Sequence, residues 1–598
     1  MKKNIFYYVI VLVNVSIFMM SCEKDFLQKP MGSDLNIDSI FSTRENALTA
    51  IARAYAIGAA PGIQVQNENL TEGWVCHDGS LAHASQEINM LKSSWGDCYK
   101  FQRTGMAPVG INLSGVEYPF SVDAYHANWK SLRQSYLVIE NIDKVRDMTD
   151  AEKTQVKAEM KALIAYRYSS MLIRYGGVPI VTKSLMSDED VMIPRSSLKE
   201  VLDHAMELLD EAYPDLPDSY PPNDNGRVTK GIVLCIKAEA LLFAARPLFN
   251  SATPYLDFGE NNKLICLGDY QQQRLLDAIA ASEAVLDWAS KNNYYIIKDK
   301  GTPLDNYGTA VATPGNREVL WAYKRINSAN SPVYDVRRPE GGANGMSFYQ
   351  LKQYYKADGT NQVWPENEVD AAGNPKQYPY SDYAAKIQEM EPRYKASAMG
   401  AGIDAWNNPN DRIWSWNQTF NSYTWAGIYQ TEASGRLVKF WYKAGTRTWF
   451  EYPIFRLAEF YLNLAELYNE VGNPQKALAN LNVIRDRAGL PQITVTDKDQ
   501  LRKIIQREWA VEFYFEGHAI FDVKHWKRED IGNGVIGGSR KSLYWYYIPG
   551  RAYAQSAADY VSYSVQELFT CFWAPNQFLC PFPQREVNKG YLVQNPGY

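Results

Sequence analysis

Three carboxylates stand four residues apart at Glu508, Glu512 and Glu516, flanked by Arg507 and His518. On a helix this spacing puts all three on one face. Paired carboxylates carry out glycoside hydrolysis when they stand roughly 5–10 Å apart across a substrate. His77-Asp78 has the residue types of a general-base pair. Gly532-x-Gly534-x-x-Gly537 matches the dinucleotide fingerprint in its letters. The last two lack the context that their chemistry needs. His77-Asp78 reads as part of a surface loop, and the glycine motif follows the charged segment 527–530 and opens no helical pattern. HExxH, GxSxG and P-loop motifs are missing, and no Cys/His spacing suggests zinc. The remaining chemistry is aromatic. Rings make up 13% of the chain and crowd into two poorly periodic stretches. Residues 61–120 hold Trp74, His77, Asp78, Trp95, Asp97, Tyr99 and Arg103. Residues 292–452 hold Tyr294, Tyr307, Trp321, Trp364, Trp406, Trp414 and further tryptophans. A long stretch without regular structure is usually functional or disordered, and this aromatic content argues against disorder.

Something must position those loops, and helical periodicity supplies it. Ile454, Leu457, Ala458, Tyr461, Leu464, Ala465 and Tyr468 recur at helical spacing. Gly472-Asn473 breaks that helix, and Pro474 opens a second with Ala477, Leu478, Leu481 and Ile484 on its inner face. Tyr461-x2-Leu464-Ala465-x2-Tyr468 followed by Ala477-x3-Leu481 fits the tetratricopeptide pattern, with Tyr for Trp, Ala for Gly and Leu for Phe. Ala465 and Ala477 are small enough for close packing of the two helices. One such hairpin cannot bury its own face, so partners are expected elsewhere in the chain. Helices are expected over 43–56, from about 123, over 151–175, 198–213, 229–249 and 269–289, and over 497–517. The helix pairs 123–175 and 198–249 read as hairpins, about four pairs in all. The fold class is therefore mainly α, a tetratricopeptide-like scaffold with a large loop-rich, aromatic-rich insertion. The boundaries are 43–291 for the N-terminal helical region, 292–452 for the loop-rich region and 453–598 for the C-terminal region. A second irregular patch is expected over 532–582, around Tyr544-Trp545-Tyr546-Tyr547.

The chain has 598 residues and a formal net charge of -5, which gives no reason to expect a nucleic-acid partner. Lys2 and Lys3 precede the apolar run 5–20, and Ser21-Cys22 follows. That is the layout of an export signal over 1–21. A Cys directly after a small residue resembles a bacterial lipobox, with Cys22 as the lipidated N-terminus and 22–42 as a tether; Met19 departs mildly from the pattern. Glu23-Lys24-Asp25 resembles the surface-export signal of Bacteroidetes lipoproteins. Cys235 lies in an apolar helical run and reads as a buried thiol. Cys76 with Cys98 and Cys571 with Cys580 are not expected to pair, since a chain this long does not depend on disulfides.

Across nearly its whole length the chain resembles the SusD/RagB family of outer-membrane glycan-binding lipoproteins. The carriers are ordered: the lipobox with its acidic tail, Arg174-Tyr175-Gly176-Gly177-Val178-Pro179, and Arg456-Leu457-Ala458-Glu459 running to Ala465-Glu466. Arg507-Glu508, Glu512-Phe513, Glu516-Gly517-His518 and Asp522-Val523-Lys524-His525-Trp526 follow. Pro581-Phe582-Pro583 with Glu586 and Gln594-Asn595-Pro596-Gly597-Tyr598 close the series. The resemblance implies a lid on a SusC-like TonB-dependent transporter, held at the cell surface of the outer membrane by its lipid, that captures oligosaccharides without catalysis or cofactor. A peptide-uptake branch of the family is the alternative, and a glycoside hydrolase a further one. Under the resemblance the acidic face of 508–516 becomes a set of buried ion pairs beside the last hairpin.

Sugars offer apolar C–H faces to rings and hydroxyl edges to Asp, Asn, Gln and Arg, and each ring contact contributes ~1 kcal/mol. The family's binding loops map onto 74–103 and 294–334. The ligand-binding candidates are therefore Trp74, Asp78, Trp95, Tyr99, Tyr307 and Trp321, with Trp406 and Trp414 as outlying ones. Trp321 sits in a segment that alternates like a strand, which makes core burial an equal alternative for it.

Overall fold

The computed structural model describes residues 37–58, 85–89, 102–109, 125–185, 191–326, 345–400, 404–405, 408–412, 434–437, 439–440, 449–547 and 561–598. The scaffold is helical, as expected. Among the described residues the helices longer than about one turn are α1 (Arg44–Gly58), α2 (Tyr125–Asn141), α3 (Asp150–Tyr175), α4 (Leu198–Ala212), α5 (Lys230–Ala245) and α6 (Gln272–Lys291). Then come α7 (Pro303–Ala312), α8 (Tyr380–Glu389), α9 (Pro392–Ser397), α10 (Leu457–Glu470), α11 (Pro474–Arg487), α12 (Lys498–Glu512) and α13 (Ala519–His525). Their starts follow local chemistry. Thr149 with Glu152 and Ser197 with Glu200 form capping boxes at α3 and α4. Asn473 accepts from the Lys476 N–H ahead of Pro474 in α11.

The expected hairpin of α2 and α3 forms, whereas α4 packs chiefly along α3 rather than α5, and α5 packs along α6, which in turn lies on α10. Gly231 shows why α5 seeks α6: a Cβ there would stand 2.2 Å from the Trp288 ring, so only glycine admits this approach. The last hairpin packs α10 on α11 with Ala465 and Ala477 fully buried. Among the described residues no helix is long and apolar enough to cross a membrane.

Strands hold the insertion to this scaffold. They are β1 (Ile88–Asn89), β2 (Val319–Ile326), β3 (Gly345–Met346), β4 (Tyr378–Pro379), β5 (Ala398–Met399), β6 (Asp404–Ala405), β7 (Asn408–Arg412), β8 (Arg436–Leu437), β9 (Trp449–Arg456), β10 (Gly538–Tyr547) and β11 (Val561–Cys571). The β2–β9 pair joins the insertion to the start of α10, with Tyr323 opposite Tyr452. A small sheet runs β1-β3-β8-β5. The expectation of an irregular patch over 532–582 is corrected: β10 and β11 form a long antiparallel pair extended by β4. An unbroken run of aromatics hides the period-2 alternation that marks a strand. On one face Leu543, Tyr563 and Val565 join the core under α8, while Tyr544 and Tyr546 stay half-buried on the other.

Motifs far apart in the sequence meet at the C-terminus. Helix α3 stops at Gly176, whose φ is +78° and whose Cβ would stand 2.3 Å from the Leu264 carbonyl oxygen. Asn595 Nδ2 donates to the Tyr175 and Cys580 carbonyls at 3.1 and 2.8 Å. Arg195 donates to the Tyr175 and Gly177 carbonyls, and Tyr175 stacks on Phe582 with centroids 5.1 Å apart. Cys235, Cys266, Cys571 and Cys580 are buried and not in disulfides.

Candidate functional site

The acidic face of α12 and the turn after it is fully enclosed. Arg393 reaches Glu508 at 2.5 Å, Glu391 at 2.7 Å and Glu512 at 3.3 Å. Arg456 spans Glu318 and Glu512 at 3.0 Å each and Glu516 at 2.7 Å. Arg487 holds Glu318 at 3.1 Å and also pairs with Glu512, while Arg485 reaches Glu508 at 3.2 Å. These are the buried ion pairs expected beside the last hairpin. Burial opposes ionisation of Glu512, but Arg487, Arg456 and Arg393 together outweigh it and hold the carboxyl far below its usual range. Burial draws His518 down to about 4. A hydrolase needs carboxyls facing a substrate, one of them poised to donate a proton. Here the carboxylates face arginines inside the protein, so this constellation is structural. Arg507 lies outside the network. It stacks on Tyr355 at 3.5 Å and donates to the Gln353 carbonyl at 2.6 Å.

The glycine motif is also structural. Residues 532–537 turn into strand β10 rather than a helix, and a Cβ on Gly537 would meet Trp573 at 2.2 Å. No phosphate-binding helix N-terminus follows. Among the described residues no group of His, Cys, Asp and Glu is arranged to hold a metal ion.

Two ring candidates are corrected by burial. Tyr307 is 0% exposed, and its hydroxyl donates to the Glu512 carbonyl at 2.9 Å. Trp321 is 2% exposed, stacks on Phe455 and donates from Nε1 to the Gly226 carbonyl at 3.1 Å. Each has its polar atom satisfied inside the core and no ring face for a ligand. Trp74, Asp78, Trp95, Tyr99, Trp406 and Trp414 lie outside the described residues, as do Cys22, Cys76, Cys98 and His77.

What is described is the frame from which those segments leave. Strand β1 precedes the stretch with Trp95 and Tyr99; β6 and β7 flank Trp406, and Trp414 follows β7. The β1-β3-β8-β5 sheet ties β1 to β8, and β5 leads on to β6. Glu87 and Lys439 hold the outer parts of this frame. Glu87 Oε1 accepts the Phe515 N–H at 2.8 Å, and Lys439 Nζ reaches Glu516 at 2.6 Å. Neither residue stood out in the sequence, because a lone charge in an aperiodic stretch gives no signal of a partner hundreds of residues or tens of residues away.

A separate cleft of about 1020 Å³ opens between the end of α5, α10, α12 and residues 526–530. Its floor is the buried Arg246, paired with Glu466 at 2.8 Å and with Asp522 at 2.6 Å. Its lining mixes Arg502, Lys503 and Glu529 with Asp530, and neither of the described ring candidates, Tyr307 and Trp321, borders it.

The described residues thus form a helical scaffold in which buried arginines are paired with glutamates. The SusD family model matches residues 311–598, and a second model, described as starch-binding associating with outer membrane, matches residues 27–236. The chain belongs to the SusD family. It is 21% identical over 416 residues to the SusD-like protein P38 of Formosa agariphila, covering 66% of this chain and 70% of the relative. A SusD-like protein of Bacteroides fragilis shares its fold with a TM-score of 0.70 at 22% identity, over 94% of this chain and 98% of that one. A laminarin-binding SusD-like protein aligns with a TM-score of 0.57 at 17% identity, over 93% of this chain and 100% of its own.

Proposed function

We propose that this protein is a cell-surface glycan-binding lipoprotein that captures oligosaccharides and delivers them to a SusC-like TonB-dependent outer-membrane transporter. The observation that carries the reading is the pair of family matches in chain order, one of them to a starch-binding family associated with the outer membrane. The laminarin-binding relative of the same fold supports a polysaccharide ligand. The enclosure of Glu508, Glu512 and Glu516 among arginines supports binding without hydrolysis at that cluster. Trp74, Trp95, Tyr99, Trp406 and Trp414 supply stacking faces, and Asp78 bonds hydroxyl edges. Cys22 carries the lipid that fixes the protein to the membrane.

The test is a binding screen with protein lacking residues 1–22, against plant, microbial and host polysaccharides and against peptides, with reducing ends assayed in parallel. Binding without sugar release, weakened by Trp74→Ala or Trp95→Ala, is the expected result. Released sugar, or binding to peptides alone, overturns it. In cells, Cys22→Ala releases the protein from the membrane; retention of that variant when the transporter is absent refutes the anchor.

A further inference from the structure

Strands β10, β11 and β4 have two unlike faces. Period-2 alternation puts Leu543, Tyr563 and Val565 on the face packed under α8. It puts Ser542, Tyr544 and Tyr546 of β10 on the other face, opposite Gln566, Ser564 and Ser562 of β11. Pro379 of β4 stands opposite Ser562, and Gln377 is on the same side, bonded to the Ser562 hydroxyl. Exposure rises toward the β4 edge. Ser542 and Ser564 are buried, Tyr544, Tyr546, Ser562 and Gln566 are half-buried, and Gln377 and Pro379 are exposed.

This outer face resembles neither a packed sheet face, which is aliphatic, nor a solvated one, which is charged. It carries two rings on one strand: Tyr544 and Tyr546 have centroids 5.8 Å apart, a separation at which neighbouring units of one sugar chain can each meet a ring. Beside the rings runs a row of neutral groups already bonded to one another. Gln566 Nε2 donates to Ser564 Oγ at 2.8 Å and to the Tyr546 hydroxyl, which lies 3.2 Å from Ser564 Oγ. Ser562 Oγ donates to Gln377 Oε1 at 2.7 Å. These bonds hold the Tyr546 ring and both amides in place, so little freedom is lost when a ligand arrives. Each amide keeps a second polar atom that meets no protein group. Tyrosine gives rigid amphipathic area, and hydroxyls and amides give adaptable hydrogen bonds, a composition suited to recognition. No charge stands on this face over 542–546, 562–566 and 377–379. Lys541 and Glu567 alternate to the opposite face, and Arg540, beyond the bulge, is buried against the Ser85 and Ile536 carbonyls.

We propose that the outer face of the β10–β11–β4 sheet is a glycan subsite for an uncharged sugar chain, with Tyr544 and Tyr546 stacking on successive units and Gln566 and Gln377 bonding their hydroxyls. The proposal rests on the glycan-capture reading above and gives it a ligand class. An acidic or sulfated chain brings charges to a face with no cation to receive them, and the loss of their hydration goes uncompensated. An uncharged chain meets rings on its C–H faces and neutral donors and acceptors on its edges.

Full-length protein in detergent is titrated with laminarin, starch and galactomannan as uncharged chains, and with polygalacturonate and chondroitin sulfate as charged ones. Hydroxyl-radical footprinting compares the two rings with and without each chain. At least one uncharged chain is expected to bind and to protect Tyr544 and Tyr546 from oxidation, and the charged chains to give them no protection. Tyr544→Ala and Tyr546→Ala are expected to weaken binding about tenfold, equivalent to ~1.4 kcal/mol. Tyr544→Phe, which keeps the ring, costs less than about twofold. Gln377→Ala, at an exposed edge position, costs about threefold; this variant and the footprint of the wild type decide the matter if an alanine at either ring does not fold. Rings oxidised alike with and without a bound chain, rings protected by a charged chain as well, or ring variants that fold and bind as wild type overturn the subsite. Each of these leaves the capture reading standing, because a chain is still bound. If no polysaccharide binds, the capture reading fails and the subsite with it.

Discussion

Around α3, α5, α6 and α10 the core is chiefly apolar, with the buried Arg246–Glu466–Asp522 group at one end. Leu163, Ile236, Ile279 and Leu464 interlock there, and small residues set how close the helices come. Around α7, α9, α12 and β9 it is built from tyrosines and ions. Tyr307, Tyr354, Tyr394, Tyr452 and Tyr514 pack beside Arg393, Arg456 and Arg487 with their glutamates. The first core depends on area buried, which is forgiving of detail. The second depends on each charge keeping its partners, because a buried ion without one is strongly unfavourable. The ionic core is also tied to the chain beside β1 and β8, through Glu87 on the Phe515 N–H and Lys439 on Glu516. A polar keystone fixes positions in a way that an oily layer does not.

The comparison is broken most forcefully at Arg456, which joins Glu318, Glu512 and Glu516. Arg456→Ala leaves three buried carboxylates short of a partner and is expected to destabilise by about 3–5 kcal/mol in chemical denaturation. A loss below ~1 kcal/mol would mean that water or rearrangement replaces the arginine, and that the second core is not held by its charges. In the aliphatic core Leu464→Ala, at a residue 2% exposed, is expected to destabilise by about 3 kcal/mol through lost burial and the cavity left behind. The two variants separate in salt and pH response rather than in size. Leu464→Ala should shift the denaturation midpoint alike at every pH, whereas Arg456→Ala should alter the pH profile itself.

These two cores were unequally legible in the sequence. Helices α1 to α6 and the α10–α11 hairpin could be read from period and caps, since Ala47, Ile51 and Ala54 or Leu464, Ala465 and Tyr468 repeat the helical turn. The partners of α4 and α5 were not legible, because the space left by Gly231 for Trp288 is a tertiary contact that no local pattern signals. The acidic face of α12 was visible as a spacing, but its arginines come from α9, β9 and α11, and no local pattern connects them. Tyr307 and Trp321 were drawn into the candidate site by ring type and position. Residue type alone does not distinguish a ring that meets a ligand from one that closes a core. The strand β10 was hidden by Tyr544-Trp545-Tyr546-Tyr547, where every position is aromatic and alternation cannot show. The motifs that carried the family resemblance proved to be buried ties, such as Asn595 on Tyr175 and Glu512 on Arg487. They specify the scaffold and say little about the sugar.

The smallest effect expected is a pH dependence in the ionic core. His518 packs on Phe513 and Trp509 with centroids 4.7 and 5.6 Å away, and burial draws it from the usual histidine range down to about 4. The unfolded chain therefore takes up a proton on this residue near pH 6.5, where the folded protein does not. Stability attributable to His518 is full above that value and is lost as pH falls toward about 4. Between pH values of about 7.5 and 5.5 the loss is about 1 kcal/mol. Asp522 opposes this trend, since burial raises its carboxyl to about 6 and the folded state gains from its protonation over the same range. Glu87, raised to about 7, acts in the same sense as Asp522. A measured profile thus sums opposing groups, and His518→Phe isolates one of them. That variant should remove about 1 kcal/mol of acid sensitivity while leaving stability near pH 7.5 little changed. An unaltered slope would show that His518 reaches solvent and titrates alike in both states, so that the ionic core is less closed than its geometry indicates.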